Sequence, residues 1–430
     1  MKNFFQNLFS YFYQRIFHEE MGSRLKNFLE NLSYVVGGTV IAILLSSTFN
    51  ILAGRVLGRE EYGKFTLVCA IAVFLYIPIL FGLHTAMVKY GAEKEDFQRQ
   101  SKIISTTYIL VFFLIIISIF FYFLFFSQLS KIFSVSPEIF SLSIIFAVLF
   151  AFYTLTTETI RGLNQMKIFA ILKSVYGAIL LAVFLFFICN KFLSFKSGVF
   201  SMYFAYGIAG GVLLVFFLRK YFKFNFDRTW ANKLMRYSFW AAIGGVSFSI
   251  YTDIDKILIN KYLTISDVGI YKAYYFASID VAVLLFGIFN TVFFPTASRY
   301  ENKEVLFKKI NKFLPYFIVM GIPFIFLCEF VILKLYGKEY PFNPLWAILL
   351  GIASMCIWID GIYGWTLSSV GKEGVRIVSL AAVILALLNI VLNIKLIPLV
   401  GILGAIISII LAFIVSIIII LSFGKKHLCH

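Results

Sequence analysis

Runs of about 20 apolar residues recur from one end of this chain to the other, each long enough to cross a hydrocarbon core of about 30 Å as a helix. In lipid every backbone N–H and C=O must find a partner within the chain, so only helices and closed barrels can span. The alternation that marks barrel strands is absent here, which leaves an all-α polytopic membrane protein. With 61% hydrophobic residues and 52 Phe, the chain has too little polar surface for a water-soluble domain. The runs resolve into about twelve spans, near 32–54, 65–88, 103–126, 138–160, 167–189, 197–218, 236–258, 269–295, 311–333, 344–367, 375–395 and 400–422.

The net charge of +17 would by itself fit a nucleic-acid surface, so its placement decides. When alternate segments are grouped, 26 of the 38 Lys and Arg fall on the side that carries the N-terminus and 12 on the other. That bias puts both termini in the cytoplasm of a multi-pass protein of the inner (plasma) membrane and gives no reason to expect nucleic acid. Residues 1–31 open with Phe4, Phe5, Leu8, Phe9 and Phe12 on one helical face, which reads as an interfacial amphipathic segment. An N-lobe is expected over 32–218, a basic cytoplasmic linker over 219–236, and a C-lobe over 237–430.

Chemistry is scarce. The five Cys are scattered with no C-x-x-C, and the four His form no ligand cluster, so neither a metal site nor a cofactor is expected. No nucleophile is paired with a base, and the outer loops are about ten residues, too short for an ordered catalytic lid. The chain does not read as an enzyme.

Charge inside the apolar spans is the exception. Tyr251 to Asp280 leaves Asp253, Asp255, Lys256, Lys272 and Asp280 at depths where each would cost roughly 2.5 to 3.5 kcal/mol near a bilayer centre. Ser249, Asp253, Lys256 and Asn260 recur at helical spacing and share one face of span seven. Two readings fit: an Asp253/Lys256 and Lys272/Asp280 network that neutralises itself and ties helices together, or a site for a ligand or proton in an aqueous cavity. Asp360 lies equally deep in span ten. Arg55, Arg59 and Lys64 face Glu60 and Glu61 in a glycine-bearing turn, where local salt bridging and a ligand-facing role are both open.

The same stretch exposes an internal repeat. Ile51-Leu52-x-x-Arg55-x-Leu57-x-x-x-Glu61-x-Gly63-x-Phe65 matches Ile257-Leu258-x-x-Lys261-x-Leu263-x-x-x-Asp267-x-Gly269-x-Tyr271 at a constant offset of 206. Six spans separate the copies, so both halves insert with the same orientation, as two six-helix lobes flanking a site in mid-membrane. The offset sets Asn50 on Lys256 and Ser47 on Asp253, so both lobes turn a polar stripe from their first helix toward one cavity.

Several motifs together resemble the polysaccharide transporter family, the O-antigen and teichoic-acid lipid flippases of the multidrug/oligosaccharidyl-lipid/polysaccharide superfamily. They are Arg55-x-Leu57-Gly58-x-x-x-Tyr62-Gly63, Asp253 to Ile259 with Val268-Gly269-Ile270-Tyr271, Pro295 with Ser298-Arg299, Tyr336-Gly337-x-x-Tyr340, and Leu388-Asn389 to Pro398 with Gly401-Ile402-x-Gly404-Ala405. The resemblance implies a V of two lobes around a central cavity that opens alternately to each side. It implies passage of an undecaprenyl-diphosphate-linked oligosaccharide from the cytoplasmic to the periplasmic leaflet, for surface polysaccharide such as the O-antigen of lipopolysaccharide. Basic residues would then meet the diphosphate, and by position these are Arg55, Lys256, Lys261 and Lys272, with Asn50 at the matching place in the first lobe. One departure stands out, because Tyr251 to Asp280 holds four Asp against three Lys. The alternative is a cation-coupled exporter of small molecules from the same superfamily, with Asp253, Asp255, Asp280 or Asp360 as the coupling acid for H+ or Na+. Expected partners are the lipid-linked substrate and membrane lipids, with polysaccharide polymerase and chain-length proteins as further candidates around a monomer.

Overall fold

The computed structural model describes residues 23–222, 226–299 and 303–428, so residues 1–22 of the expected amphipathic segment lie outside it. The described residues are helical nearly throughout and contain no strand. The first helix, α1 (Ser23–Leu80), holds two spans folded back on each other at Gly58, whose φ of 76° only glycine adopts without strain. The rings of Phe49 and Phe65 lie 5.9 Å apart, whereas 16 residues of unbroken helix would separate them by about 24 Å.

Span two does not run straight to residue 88 as its hydropathy suggests. It ends at Leu80, turns through Phe81 (φ 44°) and Gly82 (φ 72°), and resumes as α2 (Leu83–Ala92). Pro78, two residues before the break, marks where the helix weakens. The N-lobe continues with α3 (Phe97–Leu124), the short α4 (Phe126–Ile132), α5 (Pro137–Gly162), α6 (Met166–Cys189) and α7 (Phe195–Leu213). Asp96 caps α3 by accepting from Gln98 N–H, and Ser136 caps α5 ahead of Pro137.

A helix starts within the stretch expected to be a linker. Asp227 accepts from Thr229 and Trp230 and starts this helix, α8 (Arg228–Tyr262). A capping box between Thr264 and Asp267 starts α9 (Ile265–Tyr275), a π turn over Phe276–Asp280 follows, and α10 (Val281–Arg299) completes the span. Then come α11 (Lys303–Tyr336), α12 (Pro344–Ser368), α13 (Lys372–Val400) and α14 (Ile402–Leu428).

Among the described residues ten helical stretches are long and apolar enough to cross a membrane. The first of these, Val40–Leu80, contains both arms of α1, and α8 is absent from them because its polar residues lower its hydropathy. With both arms and α8 counted, the chain makes the twelve passes the sequence suggests. Large apolar side chains such as Phe123, Phe216 and Trp240 stand exposed, as suits a protein surrounded by lipid.

Within the N-lobe α1 packs on α5, α6 and α7; within the C-lobe α14 packs on α12 and α13, and α13 on α8. Small residues let these helices approach, since a Cβ on Gly38 would press on Ala170, and one on Gly404 on the backbone of Leu396. The lobes meet at two levels. At the distal end, where α1 bends and α8 turns into α9, α9 lies against α1. At the opposite, terminal end, α2 lies against α8, with Gly82 against Ser238 and Ala242, and Tyr90 5.8 Å from Trp230.

Candidate functional site

Three consecutive elements build one charged cluster. From α8 come Asp253, Asp255 and Lys256, from α9 Tyr271, Lys272 and Tyr275, and from the π turn Asp280. The π turn adds a residue to the ordinary helical register, which is how Asp280 returns to the face that carries Lys272.

In one half of the cluster Lys256 and Asp255 are buried, while Asp253 keeps 21% of its side-chain surface exposed. Lys256 Nζ pairs with Asp253 at 2.9 Å and Asp255 at 3.7 Å, donates to the carbonyl of Thr252, and lies 4.3 Å over the Tyr275 ring. Asp255 is fully buried and accepts from the Tyr271 hydroxyl and from the backbone N–H of Lys256 at 2.8 Å. Lys256 thus donates two hydrogen bonds within its own helix, with a second carboxylate and a ring face beside it. A buried pair arranged this way adds little net stability, but removing one partner leaves the other uncompensated at a cost of about 3–5 kcal/mol.

The other half is more exposed. Lys272 pairs with Asp280 at 2.6 Å, and their side chains keep 20% and 33% of their surface exposed, against 4% and 0% for Lys256 and Asp255. Lys272 also stands 5.5 Å from the Tyr275 ring, so one tyrosine lies beside both ammonium groups. The cluster holds three carboxylates against two ammonium groups. It has the pairing expected of a self-neutralising network, and one of its ion pairs stays partly exposed.

The remaining candidates lie apart from it. Arg55 and Lys261 are exposed near the distal end. Asp360 accepts from Ser416 at 2.6 Å between α12 and α14. Asn50 donates to the carbonyl of Ser46 and receives the Tyr62 hydroxyl at 3.4 Å. Lys64 pairs locally with Glu60 at 3.0 Å and Glu61 at 2.6 Å, and Arg161 with Glu158 at 2.7 Å. Among the described residues no group of His, Cys, Asp and Glu could hold a metal.

Residues that the sequence reading named without a site role, together with Glu339, form the distal closure. Glu339 accepts the backbone N–H of Arg59 at 2.9 Å, Tyr340 donates to the carbonyl of Gly54 at 2.9 Å, and the hydroxyls of Tyr62 and Tyr336 meet at 3.2 Å. All three tyrosines are buried. Their only sequence signal is the pair of motifs around Tyr62-Gly63 and Tyr336-Gly337, which say nothing of each other across more than 270 residues. Glu329 is a second omission, fully buried in α11 with neither carboxyl oxygen bonded among the described residues.

Comparison with known proteins agrees with this architecture. The family profile described as polysaccharide biosynthesis protein matches residues 28–301. A multidrug resistance MATE family transporter of the MOP superfamily, solved in an inward-facing conformation, superposes with a TM-score of 0.66 at 14% identity, covering 90% of this chain and 94% of that one. A MATE protein in complex with MaD3S gives 0.62 at 14% identity over 93% and 96% of the two chains. A MOP superfamily transporter from Pyrococcus furiosus gives 0.59 at 13% identity over 93% and 95%. No curated relative matches the sequence.

Proposed function

Because the chain belongs to the polysaccharide biosynthesis protein family, we propose that it is a flippase moving an undecaprenyl-diphosphate-linked oligosaccharide from the cytoplasmic to the outer leaflet by alternating access. In this reading the terminal end faces the cytoplasm and the distal end the periplasm or exterior, with both chain termini cytoplasmic in the inner membrane. A diphosphate joined to a polar glycan cannot cross hydrocarbon unaided. It needs a cation that can exchange partners, in surroundings where charge attraction is strong.

The observation that carries this reading is the contrast between the two lysines. Lys256 is committed to two carboxylates, the Thr252 carbonyl and a ring face, whereas Lys272 is partly open and has a single carboxylate partner. A diphosphate arriving from the exposed side would displace Asp280 from Lys272. Lys256 would instead hold α8 and α9 in register, a role different from the ligand contact its position alone suggests. The test is Lys272→Ala: the protein should insert in the membrane at normal levels while surface glycan disappears. Normal display would remove Lys272 from the pathway.

The excess of carboxylate in the cluster, and Asp360 held between α12 and α14, favour a second reading as a cation-coupled exporter. Loss of drug resistance with intact surface polysaccharide, in cells lacking the chain, would select it. H+ or Na+ coupling belongs to both readings and is read out by collapsing each gradient in turn.

A further inference from the structure

We propose that the distal closure is a gate with two-fold construction, made by the two copies of the internal repeat gripping each other through equivalent residues. The offset of 206 that aligns the copies puts Arg59 on Ile265 and Gly63 on Gly269. A Cβ placed on Gly63 would collide with the carbonyl of Ile265. One placed on Gly269 would collide with the carbonyl of Arg59. These are the same contact seen from each copy, because exchanging the copies converts the 63–265 pair into 269–59. An interface that maps onto itself in this way is isologous, as between the subunits of a two-fold dimer.

A second pair obeys the same rule. Tyr340 donates to the carbonyl of Gly54 at 2.9 Å, and Asn260 donates to the carbonyl of Ser134 at 2.7 Å. Asn260 is Gly54 displaced by 206, and Tyr340 is Ser134 displaced by 206. Each lobe's first helix is thus joined to the other lobe's third-to-fourth helix turn at equivalent positions, although the donor sits on the turn in one case and on the helix in the other. Four contacts therefore form two mirror pairs around one axis.

The gate lies directly over the charged cluster. Asn260 is one helical turn beyond Lys256, and Gly269 precedes Tyr271 and Lys272 on α9. With both glycines bare, backbone rests on backbone at these two contacts, so no side chain there can bend aside to admit a headgroup. Passage at this end requires the mirror contacts to part together, and Glu339 bonded to the Arg59 N–H adds a one-sided catch. The proposal rests on the alternating-access reading and not on the identity of the cargo.

Spin labels at Ile132 and Lys338, exposed and themselves 206 apart, report the gap by electron–electron distance in lipid nanodiscs. The labelled protein should show a short and a long population. Gly63→Val and Gly269→Val should each move it to the long one, and by the same amount. Tyr340→Phe and Asn260→Leu each remove one mirror hydrogen bond, fold more securely, and should each shift the ratio about fivefold. One short population that none of the four variants moves overturns the gate. A shift from one copy's residues and none from the other's overturns its two-fold construction. No substrate enters this measurement, so normal surface glycan in cells lacking the chain would refute the cargo reading and leave the gate standing.

Discussion

Phe49 and Phe65 occupy in the N-lobe the positions that Asp255 and Tyr271 occupy in the C-lobe, each displaced by 206 residues. The first pair meets as two rings 5.9 Å apart in edge contact, and the second as a hydroxyl donating to a carboxylate. All four residues are buried. One backbone geometry therefore carries an apolar contact in one lobe and a charged one in the other. The neighbours follow suit, with Asn50 bonded to its own helix where Lys256 anchors a cluster. At the distal end the lobes remain equivalent, because there each copy meets the other. In mid-membrane they diverge, and at these repeat positions the charged side chains belong to the C-lobe alone.

The comparison can be broken most severely by giving the N-lobe the C-lobe's carboxylate. Phe49→Asp places a charge where Asn50 offers no cation, and should cost about 5 kcal/mol, read as a large drop in the thermal unfolding midpoint in detergent. A small drop would mean that water already reaches this site. Next in size, Lys256→Met leaves Asp253 and Asp255 uncompensated and should cost about 3–5 kcal/mol by the same measurement. Tyr271→Phe makes the C-lobe pair resemble its counterpart but takes one donor from Asp255, for about 1–3 kcal/mol. Smallest in stability is Lys272→Ala, below about 1 kcal/mol, because its partner is partly exposed and screened. That variant should nonetheless be the one that ends glycan display with the fold intact. Equal stability losses for Lys256→Met and Lys272→Ala would erase the distinction between the more buried and more exposed halves.

Much of this was legible in the chain. Apolar run length gave the passes, and the repeat gave the relation of the lobes, since both depend on residues close in sequence or on a constant spacing. The local pairing of Lys64 with Glu60 and Glu61 is equally a matter of helical spacing. Other features were hidden. The break at Phe81–Gly82 depends on α2 lying against Ser238 and Ala242 of the other lobe, and hydropathy runs through it without interruption. Glu339 reads as one charge in an exposed turn until its partner, the Arg59 N–H, is placed beside it. The buried state of Lys256 was also out of reach, because spacing along α8 predicts Asp253 but not the ring of Tyr275 from α9.

The order of residues alone determined a helical membrane protein of twelve passes in two like-oriented halves. Hydrocarbon thickness and backbone hydrogen bonding act on each segment separately and leave a one-dimensional record. Only the tertiary structure decided which lysine is buried between two carboxylates and which is partly exposed beside one, and which glycines meet the other lobe's backbone. Those outcomes depend on burial and on contacts between segments about 200 residues apart, where no local pattern reaches.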